Sequence, residues 1–379
     1  MKYLSIEKGL TVHAALVNTG GFDQDELREV EKRAYVLGVA SFKVLDCVEE
    51  FYQKAVKYLI FGNVLRNNTY PLSVSAERMF QAMAIAEYAK EIGASAIAHG
   101  STGAGNDQVR FDLAFGILAP EVDIITPIRD LKLSRQEEID FLKEKNVDWS
   151  WEKGKYSINK GLWGTSVGGA ETLTSHQHLP EEAYPSPLTQ KEPSKVKLHF
   201  EQGELVGIDG KTLSPVQAIQ QLESLASPYA IGRDTHVGDT IIGIKGRVGF
   251  EAAAALITVK AHHLLEKHTL TKWQQHWKEQ LGNWYGMMLH EAQYLDPVMR
   301  NIEGFMADTQ EYVTGEVEVA LFPYRFNVLG ITSANDLMNS KFGDYGEMNE
   351  AWSGEDVKGF TKILGNQTRI YHAIHQKDS

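Results

Sequence analysis

From Thr11 to Lys145 the chain alternates short, β-branched apolar runs with amphipathic helical stretches, and this alternation restricts the fold more than any other feature. Thr11–Val17 (TVHAALV) reads as a buried strand stopped by Gly20-Gly21. Asp23 and Asp25 can cap a helix in which Leu27, Val30, Ala34 and Leu37 recur until Gly38. Ser41–Leu45 and Ala94–Ala98 predict further strands, Val48–Leu59 and Ala76–Ile92 helices, Val122–Ile125 another strand, and Ser134 caps a last helix. Strand, helix, strand predicts an α/β fold: a parallel sheet with helices on both faces. Ligands on such sheets sit beyond the carboxyl ends of the strands, which directs attention to the loops after Val17 and Ala98.

At Asp148 the character changes. Trp149, Trp151 and a glycine-punctuated stretch to Gly169 follow, so a domain boundary is expected between 148 and 149. Lys197–Leu213 alternates apolar and polar residues around Gly203 and Asp209-Gly210, the pattern of hairpin turns. Helices are expected from Glu251 to Phe305 and strands again at Thr314–Phe322, which makes the second part α+β. We expect three pieces: 1–148, 149–344 and a C-terminal segment 345–379. In that segment Tyr345, Trp352, Phe360 and Tyr371 suit a subunit contact or a monomer's own core.

Composition removes several function classes. With 38 Lys+Arg against 50 Asp+Glu the net charge is -12, which disfavours a nucleic-acid partner. No apolar run approaches the roughly 20 residues that cross a bilayer, so no membrane role is expected. The N-terminus shows no apolar export signal, and a single cysteine, Cys47, fits a reducing compartment, which points to the cytoplasm.

The densest motif follows the Ala98 strand directly: His99–Phe111, HGSTGAGNDQVRF. Its glycines allow close backbone approach to an anion, yet Asn106-Asp107 stand where a Walker A loop needs Lys-Ser/Thr, and Gln108 stands at the third glycine of a dinucleotide fingerprint. The bland alternative is a mobile loop. Thr102, Asn106, Asp107 and Arg110 nevertheless put hydroxyl, amide, carboxylate and guanidinium on one scaffold. Such a set can bind a zwitterion, with Asp107 taking the ammonium and the other three taking carboxylate or carbonyl oxygens. A second constellation is Tyr70, Ser75 and Arg78, with Ser75 equally well placed to cap a helix. A third is Ser157 and Ser166 in polar, glycine-rich chain. His176-x-His178 and His262-His263 lack the close acidic or thiolate partners of a zinc site, so no protein-held metal is expected. Trp273, Trp277 and Trp284 fall at helical spacing with Leu281, Met288 and Leu289, an apolar seam for core or subunit contact.

Taken in order, VNTGGF (17–22), YPLSVSAER (70–78), HGSTGAGNDQVRF (99–111), YSINKGLWGTS (156–166) and GIKGRVGFE (243–251) resemble the argininosuccinate synthase family over essentially the whole chain. The resemblance implies an adenine-nucleotide-hydrolase-like nucleotide-binding domain, a synthetase domain and a C-terminal oligomerisation segment, normally in a homotetramer. It implies the joining of citrulline to aspartate through a citrullyl-adenylate, with Mg-ATP converted to AMP and pyrophosphate. By the same resemblance Val17 and Gly100 lie at ATP, while Thr102, Asn106 and Asp107 hold aspartate. Tyr70, Ser75, Asn106, Arg110, Ser157 and Ser166 correspond to positions that contact citrulline.

Three departures from the family pattern stand out. Gly238 and Phe250 occupy positions where many members carry a citrulline-contacting Glu and Tyr, and Asp239 is a candidate substitute for the former. The S-G-G-x-D-T-S loop that wraps the pyrophosphate in the family is not found in this sequence, so we expect a chain that starts roughly 20 residues late and adenylates poorly. Two other readings stay open: a remnant that binds amino-acid metabolites or only oligomerises, and an ATP-pyrophosphatase-type enzyme modifying RNA, against which the acidic charge argues.

Overall fold

The computed structural model describes residues 1–103, 105–147, 155–339, 345–347 and 351–376. The expected boundary at 148/149, with Trp149 and Trp151, lies outside the described residues. Met1–Ala334 and Asn335–Ser379 are two compact units.

In the first unit, β1 (His13–Asn18) leads through helix α1 (Gln24–Val36) to β2 (Ser41–Asp46). Asp23 caps α1 by accepting from the Asp25 and Glu26 amides. β1 and β2 pair in parallel from His13↔Ser41 to Asn18↔Asp46. Helix α2 (Glu77–Glu91) precedes β3 (Ala96–Ala98), and α3 (Asp107–Leu118) connects β3 to its parallel neighbour β4 (Asp123–Ile125). The parallel layer therefore consists of two pairs, and α2 packs against both β1 and β3.

Two antiparallel sheets complete the unit. One has the order β10-β11-β6-β5, built from β5 (Ser157–Gly161), β6 (Gly164–Gly168), β10 (Arg233–Asp239) and β11 (Lys245–Glu251). The other has the order β13-β12-β7-β8-β9, from β7 (Ser194–Glu201), β8 (Glu204–Ile208), β9 (Lys211–Thr212), β12 (Gly315–Phe322) and β13 (Arg325–Thr332). The two expected hairpin turns form at Gln202-Gly203 and Asp209-Gly210, where all four residues have positive φ, as two-residue turns between twisted strands require. Helices α4 (Ala253–Thr269), α5 (Lys272–His290) and α6 (Pro297–Asp308) supply much of the core around Ile257, Leu265, Tyr285, Leu289 and Met299.

The tryptophan seam faces the other way from a core stripe. Trp273, Trp277 and Trp284 are each more than half exposed, while Lys278, Gly282, Tyr285 and Leu289 on the opposite face of α5 are buried. Both stripes obey the helical repeat, so spacing identified two faces without saying which points inward. Gly282 decides the matter: a Cβ there would lie 2.5 Å from the Gly62 carbonyl oxygen, and the close approach of the two backbones fixes the inward face.

The second unit contains helices α7 (Gly354–Leu364), capped by Ser353, and α8 (Asn366–His375). Trp352, Phe360 and Tyr371 are exposed there. Among the described residues no helix is long and apolar enough to cross a membrane.

Candidate active site

The glycine-rich turn starts at His99, whose Nδ1 accepts from the Ser101 amide (3.3 Å), leaving Nε2–H to donate to Asp112 Oδ1 (2.8 Å). Asp112 is held in turn by Arg129 at 2.5 Å. Beyond this anchor the turn is open. Gly100, Gly103 and Gly105 all avoid positive φ, and a Cβ on each would find its nearest neighbour no closer than 3.7 Å. The glycines therefore relieve no internal clash.

At the end of the turn the chain enters α3, and the surroundings become dense. Asn106 occupies the N-cap position without capping; its Oδ1 instead accepts from the Ile241 amide at 2.8 Å, tying the turn to the loop that follows β10. Asp107 receives Arg110 Nη1 on one oxygen (2.8 Å) and Arg78 Nε on the other (3.2 Å). Burial pushes the Asp107 carboxyl up, but Arg78 and Arg110 outweigh it and hold it below the ordinary value. Arg78 also donates to Glu77 (2.7 Å) and to Asn159 on β5 (3.2 Å), so it is a mostly buried hub. Glu77 accepts from Thr19 Oγ1 at 2.6 Å; burial raises its carboxyl to about 7 against the pull of Arg78.

Arg110 is buried and reaches across to the end of α5. Its Nε and Nη2 donate to the His290 carbonyl (3.1 and 2.9 Å), and Nη2 also lies 3.2 Å from His290 Nδ1. A guanidinium only donates, so Nδ1 is the acceptor and the ring proton sits on Nε2. Burial, then Arg110, pushes His290 down to about 2, so the ring is neutral. Its Nε2 is sealed without a hydrogen-bond partner.

Arg78, Asn106, Asp107, Arg110 and His290 line a partly open cavity of about 260 Å³. Tyr70, Ser75, Asn106, Asp107, Arg110 and Ser166 all line it, although they come from segments nearly 100 residues apart in sequence. Ser75 is not a helix cap: no side chain caps α2, and the Ser75 hydroxyl is buried and unpartnered at the cavity wall. Val17, Gly100, Thr102 and Ser157 lie outside the cavity lining. Val17 is buried on β1, Gly100 and Thr102 belong to the open turn, and Ser157 is exposed at the start of β5, opposite Gly168. Asn159 and Arg247, which lie inside the quoted motifs but carry no assigned role there, and His236 and His290, which lie outside them, line the same cavity. His236 was accessible in principle, since it shares the inward face of β10 with Gly238 two residues on.

No group of three or more His, Cys, Asp or Glu among the described residues could hold a metal ion. His262 is packed in the core, with its ring nitrogens 2.7 Å from Asn63 Oδ1 and 2.8 Å from Gln310 Oε1.

A parallel α/β layer whose strand ends carry an anchored glycine turn, set beside a small cavity rich in guanidinium groups, is the layout of an enzyme that activates a polar metabolite with a nucleotide. Comparison with known proteins agrees: residues 1–148 match the arginosuccinate synthase N-terminal HUP domain, and residues 156–371 match the arginosuccinate synthase C-terminal domain. The chain belongs to the argininosuccinate synthase family. The argininosuccinate synthase of Methanocaldococcus jannaschii is 36% identical over 374 residues, covering 98% of this chain and 94% of that protein. Those of Dictyoglomus turgidum (36%, covering 98% and 93%) and Xanthomonas campestris pv. campestris (34%, covering 98% and 94%) are similarly close.

Proposed function

We propose that this chain joins citrulline to aspartate at the expense of ATP, with AMP and pyrophosphate as by-products. The observation that carries the reading is the convergence of Tyr70, Ser75, Asn106, Asp107, Arg110 and Ser166 on one cavity, whose volume suits an amino acid and is small for a nucleotide. ATP then belongs outside it, at the carboxyl ends of the parallel strands near Val17 and Gly100, where the turn is open. Mg²⁺ enters with the nucleotide as part of the substrate complex.

The ureido oxygen of citrulline attacks the α-phosphorus; the new O–P bond forms as the bond to pyrophosphate breaks. The aspartate amine, as the free base, then attacks the ureido carbon, and AMP leaves with the former ureido oxygen. The protein contributes placement and charge neutralisation. Tyr70, Ser75, Asn106, Arg110, Ser157 and Ser166 hold citrulline, and Thr102, Asn106 and Asp107 hold aspartate. Asp107 faces two guanidinium groups but keeps lone pairs for an ammonium, since a carboxylate accepts about four hydrogen bonds.

Calorimetry with citrulline and with aspartate, together with AMP release that requires both, tests this. Binding of neither amino acid overturns it; binding without turnover would identify a metabolite-binding chain instead. We also assign the enzyme to the cytoplasm as a homotetramer. The apolar side chains exposed on α7 and α8 (Phe360, Ile363, Tyr371, Ile374) support the assembly, and light scattering should return four times the chain mass.

A further inference from the structure

One wall of the cavity is built unusually. On β10, His236 and Gly238 face inward together, opposite Val248 and Gly246 of β11. The His236 imidazole stacks on the Tyr70 ring, with centroids 5.2 Å apart and planes 22° apart, and Tyr70 leans in turn on Phe250 at 5.4 Å. The Tyr70 hydroxyl is pinned by the Val74 amide at 3.2 Å, so the ring is a fixed platform. A Cβ at position 238 would lie 2.5 Å from His236 Nε2. The imidazole thus occupies the space that any side chain at 238 would claim, and presents a ring nitrogen there.

Hydrogen-bond acceptors are scarce in the cavity while donors are abundant. Arg78, Arg110 and Arg247 line it, while most of its acceptors are engaged: both Asp107 oxygens face guanidinium groups, Asn106 Oδ1 is taken by Ile241, Asn159 Oδ1 by Arg78 and the Asp239 carboxylate by Lys245, which leaves the Ser75 hydroxyl and the His236 ring without a partner among the described residues. His236 makes no hydrogen bond among the described residues, and burial followed by the Arg66 charge lowers its basicity, which keeps an unprotonated ring nitrogen available. A zwitterion entering here finds several partners for its carboxylate and few for its ammonium.

We propose that His236 binds the α-ammonium of citrulline, accepting a hydrogen bond on a ring nitrogen and so setting the substrate's direction, with the ureido end toward the turn at Gly100–Asp107. The proposal rests on the citrulline reading above. It makes His236, rather than Asp239, the polar group serving the wall at Gly238: Asp239 also lines the cavity but is exposed and paired with Lys245 at 2.6 Å.

The test compares citrulline with 5-ureidopentanoate, which lacks only the α-amino group, by calorimetry on the full chain. The wild-type protein should bind citrulline roughly 10-fold to 100-fold more tightly than the analogue. His236→Phe keeps the stack on Tyr70 and removes both nitrogens; it should lose most of that discrimination while aspartate affinity stays within about threefold. His236→Gln, which restores an acceptor, should recover part of it and serves as the test variant if His236→Phe fails to fold. Unchanged discrimination in the folded variants overturns the proposal, as does an equal loss for citrulline, its analogue and aspartate. A wild-type protein that binds no citrulline instead sinks the functional reading.

Discussion

The turn at Gly100–Gly105 and the cavity wall beside it differ in how much of their conformation is already committed. The turn is anchored at His99, is solvent-open, and has room for side chains it does not carry. The wall is mostly buried and densely bonded: Thr19, Glu77, Arg78, Asp107 and Arg110 form a continuous chain of charge-assisted bonds ending at His290. A site that handles a bulky nucleotide and a small amino acid can divide the work this way. The open turn admits the nucleotide, and the preorganised wall selects the amino acid with little reorganisation on binding.

Breaking the wall should cost more than altering the turn. Asp107→Ala removes the anion between the Arg78 and Arg110 guanidinium groups; because the carboxylate is 40% exposed the loss is screened below that of a fully buried pair, and the unfolding free energy should fall by about 2–3 kcal/mol in urea titration. If it costs less than about 1 kcal/mol, the network is not the rigid element described here.

Glu77 gives the wall a pH dependence. Its carboxyl is raised from 4.5 to about 7, so the protonated form is favoured in the folded state. Its contribution is fully present below pH 4.5 and is lost as the pH rises through about 7. The whole effect is on the order of 3 kcal/mol. Subtracting the pH–stability curve of Glu77→Gln from that of the wild type should isolate this fall between pH 4.5 and 7, and parallel curves would contradict it.

Arg110→Ala should weaken citrulline binding by roughly 1.5–3 kcal/mol, or about 10-fold to 100-fold, measured by calorimetry. Unchanged affinity would confine Arg110 to its structural bonds with Asp107 and His290. The smallest effects come from a matched pair of glycines. Gly161→Ala would place a Cβ against the Glu77 carboxylate and should cost about 1–3 kcal/mol. Gly103→Ala, whose Cβ meets nothing closer than 3.7 Å, should change stability by under about 0.5 kcal/mol. Equal costs at the two positions would erase the contrast between turn and wall.

Much of this was legible from residue order. The strand and helix alternation, the Asp23 cap and the turns at Gly203 and Gly210 depend on neighbours a few positions away, and each forms close to where the pattern put it. The expected strand at 11–17 forms as β1, with Val17 its one buried residue. The site was half legible. Polar residues clustered within a few positions, such as Asn106, Asp107 and Arg110, announce themselves; Asn159 and Arg247 sit in motifs that do not reveal their role, and His236 and His290 stand singly among ordinary residues.

The sequence by itself determined the local elements, the motifs and, through their order, the family. Only the tertiary structure decided that Ser75 faces a cavity instead of capping a helix, that the Trp273 face of α5 points outward, and that His236 fills the place of a side chain at 238. The physical reason is range. Caps and turns are settled by backbone geometry within a few residues, while burial, charge pairing and steric exclusion depend on atoms that folding brings in from distant parts of the chain.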